Sequence, residues 1–320
     1  MKLQTKVPIK PQQNTIDYQA QVLLLGSCFV ENMGHLLAQY QFKTTQNPFG
    51  VLFHPLAIQH LVSRAVNNEK FTITDVFEHN SRWQSFQAHS SLSATDSGTC
   101  VGLLNKALHR THVALKAASH IIVTFGTAWV YNHIETNNVV ANCHKVPQKH
   151  FKKELLSVAA IQNTIQNMVT AINTINPLAT IVFTVSPVRH LKDGFIENTQ
   201  SKAHLFAAIH QFLKDAPAQS KNYYHYFPAY EIMMDELRDY RFYEPDMIHP
   251  NTTAIAYIWN AFKTAWISET AWPTMDLVAS IQKGLQHKPF NPASEAHQAF
   301  LKKLQAQQRD LKEKFPHMTF

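Results

Sequence analysis

The run Val22-Leu23-Leu24-Leu25-Gly26-Ser27-Cys28-Phe29-Val30-Glu31-Asn32-Met33-Gly34 leads from an apolar segment, through a glycine, a hydroxyl and a thiol, into an amphipathic one. A side chain at that junction stands at the carboxyl end of a strand and the positive end of a helix, where open α/β sheets place ligands and nucleophiles. A helix dipole and free backbone N–H groups favour a thiolate, so the Cys28 pKa is expected to fall. A tight strand–turn–helix also exposes the side chain at its apex. The plainer reading is an ordinary helix start, with Ser27 as N-cap and Glu31 in the first turn. Far along the chain, Asp246-Met247-Ile248-His249-Pro250 sets a carboxylate three residues before an imidazole. That spacing lets Asp246 hold one ring nitrogen and leaves the other free as a base. Pro250 is expected in the first turn of the following helix. Alone, the pattern also describes an aspartate cap beside a surface histidine. Arg189 and His190 follow a strand-like run. An arginine there would bind a substrate carboxylate or phosphate, or pair internally with Asp193 or Glu197.

The elements that must position these groups alternate. Strands are expected at about 21–25, 42–45, 120–125, 180–185 and 222–227. Helices are expected at about 29–40, 55–66, 100–118, 151–175, 201–213 and 252–266. Such alternation implies a parallel sheet covered on both faces. Residues 70–98 instead alternate like a hairpin, as in Trp83-Gln84-Ser85-Phe86-Gln87. Trp83, Phe86, His89 and Ser90 would cap the site or form a satellite cluster. A polar hairpin is expected around 135–138. Of only eight glycines in 320 residues, Gly26, Gly50 and Gly126 fall near strand ends, at the expected rim of the sheet. Beyond about 272 the sequence is helical and polar, with Phe300, Leu301, Leu304 and Leu311 on one side. This tail would pack on the core or meet a partner.

Composition excludes several classes. Hydrophobic residues make up 45% of the chain, enough for a sizeable core, and the net charge of +7 is a mild bias. No basic run exceeds two residues, so nucleic-acid binding is not expected. The 19 histidines are scattered. His109 and His112 share a helix face without an obvious third ligand, and neither Cys-x-x-Cys nor His-Glu-x-x-His occurs, so no metal is expected. Three irregularly spaced cysteines make no disulfide framework. Met1 to Gln13 is polar, without the apolar run of a signal peptide. No run of about 18 apolar residues suggests a membrane span, and a cytoplasmic protein is expected.

The ordered blocks of this chain resemble one family. Gly26-Ser27-Cys28-Phe29-Val30 is similar to the signature of the GSCFA family, with valine for the final alanine. Also similar are Asn47-Pro48-Phe49-Gly50, Gly126-Thr127-Ala128-Trp129-Val130-Tyr131, Ala141-Asn142-Cys143-His144-Lys145-Val146-Pro147, Thr184-Val185-Ser186-Pro187-Val188-Arg189-His190 and Asp246-Met247-Ile248-His249-Pro250. That family is similar in layout to the SGNH (GDSL-type) hydrolases. The resemblance implies a three-layer α/β/α flavodoxin-like sheet and acyl-ester or thioester hydrolysis, or acyl transfer. It implies a hydrolase-like domain over 15–270, inserted at about 70–118, and a helical extension over 271–320.

Carried over by position, the resemblance makes Cys28 the nucleophile, with Ser27 a rival one residue away, His249 the base and Asp246 its orienting partner. Gly50 and Cys28 would donate backbone N–H groups to an oxyanion. Gly126 matches a glycine of the third block, but Ala128 stands where the parent group has an asparagine. Asn47, Asn142 or His144 would replace that donor, and Arg189 would bind substrate. A small-molecule or carbohydrate acyl substrate is implied. No cofactor is implied, although an acyl-coenzyme A donor would suit a transferase. A non-catalytic carbohydrate- or partner-binding module is the alternative.

Overall fold

A computed structural model describes residues 4–220 and 223–320. Met1–Leu3 and Asn222, the first residue of the expected last strand, lie outside the described residues. Five parallel strands form the central sheet: β1 (Gln21–Gly26), β2 (Lys43–Gln46), β5 (His120–Phe125), β9 (Thr180–Val185) and β10 (Tyr224–Tyr226). Their order is β10-β9-β5-β1-β2. The chain therefore leaves β1 toward one edge and resumes on its other side at β5. This reversal makes the switch point at whose carboxyl edge open α/β sheets hold ligands.

Side-chain alternation divides the core between two faces. Leu23, Leu25, Ile121, Val123, Phe125, Ile181, Phe183 and Val185 face one helix layer. That layer comprises α2 (Pro55–Val66), α3 (Ser97–Ala117), α4 (Val158–Ile175) and α5 (Phe195–Asp215). Val22, Leu24, Ile122 and Val182 face the other, built on α1 (Cys28–Gln39), the short α6 (Ala229–Glu231) and α7 (Thr252–Trp266). The result is a three-layer α/β/α arrangement.

Two antiparallel elements stand outside the main sheet. β3 (Phe77–His79) and β4 (Arg82–Gln84) form a hairpin, whereas α3 of the same region packs in the helix layer. β6 (Trp129–His133), β7 (Asn138–Val140) and β8 (Phe151–Leu155) form a three-stranded sheet in the order β7-β6-β8. The helix expected from 151 therefore begins later. Phe151–Leu155 pairs with β6, and Ser157 caps α4 by accepting the Ala160 N–H.

The tail folds onto its own chain through α8 (Trp272–Gln286) and α9 (Glu295–Lys314). Leu304, Leu311, Phe315 and Met318 join the core of α1 and α7. The Phe315 ring lies 4.9 Å from that of Tyr18, and Thr319 N–H donates to Gln41 Oε1 at 2.9 Å. Among the described residues no helix is long and apolar enough to cross a membrane.

Candidate active site at the carboxyl rim of the sheet

The turn after β1 is set by Gly26. Its φ of +131° lies in the region that side chains rarely adopt, and a Cβ there would meet Thr124 O at 2.1 Å. Asn47 Oδ1 accepts the Gly26 N–H at 2.9 Å and locks the turn to the end of β2. Ser27 follows as N-cap without a side-chain cap bond, fully buried, its Oγ without a hydrogen-bond partner. Cys28 is the first residue of α1 and only partly buried. Phe29, Met33 and Leu37 anchor the helix in the core, which fixes where its first turn points.

The thiol does not behave as its helix position alone suggests. The N–H groups of Cys28 and Phe29, left over at the helix start, favour the thiolate, as does Lys202. Burial outweighs them and pushes the thiol pKa up, and the Glu31 carboxylate adds to the rise. The expected fall is thus overturned, because desolvation of the sulfur exceeds the dipole and ammonium contributions.

Lys202 and His190 lie at the same rim. On α5, Asn198, Ser201, Lys202, Leu205, Ile209 and Phe212 form the buried stripe. Lys202 is 1% exposed and carries its ammonium beneath the sheet edge. Its Nζ donates to Gly126 O at 2.7 Å and to Ser186 O at 2.8 Å, tying the ends of β5 and β9 together. Burial draws its pKa from 10.5 down to about 7, while Cys28 pulls it back up. Ser201 Oγ accepts the Ala128 N–H at 2.7 Å, and Asn198 Oδ1 accepts the His190 N–H at 2.9 Å. The His190 ring meets Phe53 edge-on at 5.4 Å, with Nε2 buried and without a partner. A Cβ on Gly126 would lie 3.0 Å from that nitrogen and 3.3 Å from Ser27 Cβ. Burial, with Lys202 and His249 nearby, lowers the His190 pKa to about 3.

The third wall is the loop before α7. Asp246 Oδ2 lies 2.6 Å from His249 Nδ1. Its Oδ1 accepts the N–H groups of Ile248 at 2.8 Å and His249 at 3.0 Å. These bonds, the backbone one from His249 foremost, hold the carboxyl pKa down to about 2. Arg189 clamps the loop: its N–H donates to Ile248 O at 3.3 Å and its guanidinium donates to Met247 O. Met247 takes a φ of +59°, which turns that carbonyl toward the arginine. The guanidinium also stacks over Tyr243 and Tyr240. Neither Asp193 nor Glu197 is its partner; Asp193 pairs with Lys153 at 2.6 Å. Pro250 does not enter the helix. It bridges Tyr243, and Asn251 caps α7, which starts at Thr252.

Of the remaining sequence candidates, Asn47 borders the turn through its Oδ1 while its buried Nδ2 has no partner among the described residues. Gly50 donates its N–H to Asn47 O within their turn, and Gly126 donates its own to Phe53 O. Asn142 Oδ1 accepts the His144 N–H, and His144 Nε2 meets Ser85 O at 2.7 Å. The His144 ring faces Phe77 and Phe86, so that pair belongs to the β3–β4 side. Among the described residues no group of three His, Cys, Asp or Glu side chains is placed to hold a metal ion. Sequence reasoning missed Lys202, whose only local signal is a lysine inside an apolar helical stripe.

Fold and site together define a parallel three-layer α/β protein in which Lys202 acts on Cys28, and Lys202 and His249 act on His190, at the carboxyl rim of the sheet. Within that class the chain belongs to the GSCFA family: the family model matches residues 21–262, and that of the GSCFA domain protein, C-terminal domain, matches 278–320. No curated protein matches the chain.

Proposed function

We propose that this protein is an acyl-ester or thioester hydrolase, or an acyltransferase, working through Cys28, His249 and Asp246. The observation that carries the reading is the 2.6 Å Asp246–His249 contact on a loop clamped to the end of β9, at the rim where α1 presents Cys28. The strand order is that of flavodoxin-like doubly wound sheets, which place ligands at the switch point beside β1. His249 takes the thiol proton as sulfur forms a bond to the acyl carbon and the carbonyl π pair moves onto oxygen. The pair then returns, the bond to the leaving group breaks, and His249 protonates the departing alcohol or thiol. Water, or an acceptor hydroxyl deprotonated by His249, attacks the thioester and frees Cys28. Asp246, held ionised, orients the ring and stabilises its charged form.

The N–H groups of Cys28 and Phe29 supply oxyanion donors. Gly50 joins them only by giving up its bond to Asn47. The raised thiol pKa makes proton removal by the base part of the reaction rather than a prior step. Ser27, fully buried, is the poorer nucleophile. Arg189 serves here by holding the histidine loop. A small-molecule or carbohydrate acyl substrate fits this chemistry, in a reducing compartment such as the cytoplasm that keeps the three free cysteines as thiols. We assign the chemistry to residues 15–270 and treat 271–320 as a packed extension.

The test is a panel of activated esters and thioesters with wild type, Cys28→Ala and His249→Ala. Turnover by wild type alone supports the reading. Equal background in all three favours a binding module, and full activity after alkylation of Cys28 restores Ser27.

A further inference from the structure

His190 is a buried imidazole that this reaction scheme leaves unused. Its Nε2 has no partner among the described residues, although its backbone N–H is held by Asn198 and its ring is wedged against Phe53. The nitrogen lies against Gly126, where an added Cβ would stand 3.0 Å from it, 3.2 Å from Phe53 O and 3.3 Å from Ser27 Cβ, so only glycine lets the ring and the Ser27 turn come this close. Cys28 is the next residue. A buried polar atom without a partner is costly, so a native one calls for an explanation such as a ligand or catalytic role. The backbone N–H groups that follow β5 are already spent, those of Gly126 and Thr127 on Phe53 O and that of Ala128 on Ser201 Oγ.

We propose that His190 Nε2–H is the side-chain donor to the oxyanion formed when Cys28 attacks an acyl carbon. The inference rests on the acyl-transfer reading above and deepens it. The imidazole donates a hydrogen bond and keeps its proton throughout, so no bond to it forms or breaks. Charge around the ring suits that task. Burial disfavours a second proton most, and Lys202 from α5 and His249 from the facing loop add to it, which leaves a neutral ring at working pH. A neutral imidazole pre-aimed at a developing negative charge costs no reorganisation in the transition state.

The experiment uses p-nitrophenyl acetate turnover, mass detection of acetyl-Cys28, and the rate of Cys28 alkylation by iodoacetamide, which forms no oxyanion. His190→Ala is expected to lower kcat about 10²–10³-fold. KM and alkylation should stay within about twofold, and His190→Gln, which keeps a donor, should recover most of the loss. Turnover by His190→Ala at the wild-type rate, with Cys28→Ala inactive, overturns the proposal and leaves the acyl-transfer reading intact. Alkylation falling in step with turnover also overturns it, because the role is then structural. Wild-type turnover retained in Cys28→Ala, or no acylation of wild type, overturns the reading itself. If His190→Ala does not fold, Gly126→Ala decides, since its Cβ would crowd Nε2 at 3.0 Å. Unchanged turnover in that variant overturns the proposal, and a comparable kcat loss with alkylation intact supports it.

Discussion

Lys202 gives the sharpest physical prediction, because its charge is buried with only carbonyl oxygens as bonded partners. Lowering an ammonium from 10.5 to about 7 corresponds to roughly 5 kcal/mol between its charged and neutral forms. The unfolded chain keeps this proton up to about pH 10.5, whereas the folded chain releases it above about pH 7. Stability from this group is therefore complete above pH 10.5 and is lost as pH falls to 7. Across pH 7 to 9.5 the change amounts to roughly 3 kcal/mol. Lys202→Met abolishes it. The two carbonyls left without a donor, Gly126 O and Ser186 O, cost about 1–3 kcal/mol each at every pH, so they set the offset between variants and not its slope.

The assay is urea unfolding followed by tryptophan fluorescence at pH 7 and pH 9.5, in a Cys28→Ala background that removes the thiol's own titration. Cys28 raises the Lys202 pKa, so its removal widens the window. The stability difference between the chain that keeps Lys202 and its Lys202→Met variant is expected to grow by roughly 3 kcal/mol in favour of lysine from the lower pH to the higher. A difference constant to within about 0.5 kcal/mol would refute the argument, since the ammonium would then be as well solvated in the folded protein as in the unfolded chain.

Four further outcomes follow from the geometry. His249→Ala and Asp246→Asn are each expected to lower kcat about 10²–10⁴-fold on the ester that wild type turns over best. Because Asp246 is held down to about 2, its orienting bond should persist as pH falls to that region, so no acid limb from this carboxylate should appear in the pH–rate profile above about pH 3. Gly26→Ala sets a Cβ against Thr124 O in a positive-φ turn and should cost at least about 3 kcal/mol in urea unfolding, with the Cys28 alkylation rate altered as well. Leu311→Ala should cost about 2–5 kcal/mol, since α9 packs in the main core; a cost near zero would show that the tail is not docked.

What the sequence made legible follows the range over which each property is determined. The strands at 120–125 and 180–185 were readable because they are buried on both faces and so appear as unbroken apolar runs. Phe151–Leu155 was not, because a short edge strand beside a helix lends its Phe and Leu to the helical period; only the Ser157 cap marks the boundary. The helix start at Cys28 and the contact of Asp246 with His249 were readable because turn and spacing are local. Protonation is not local. The Cys28 thiolate gains from groups within its own turn and loses more to burial by residues from elsewhere in the chain. Lys202 and His190 owe their states to the ends of β5 and β9 and to the Asp246–His249 loop, which meet only in the folded chain. A lysine on the stripe of Asn198, Ser201, Leu205 and Ile209 could have been flagged, since such a residue is rarely buried without a task. The Nε2 of His190 had no such marker, because what distinguishes it is the absent Cβ of a glycine sixty-four positions earlier.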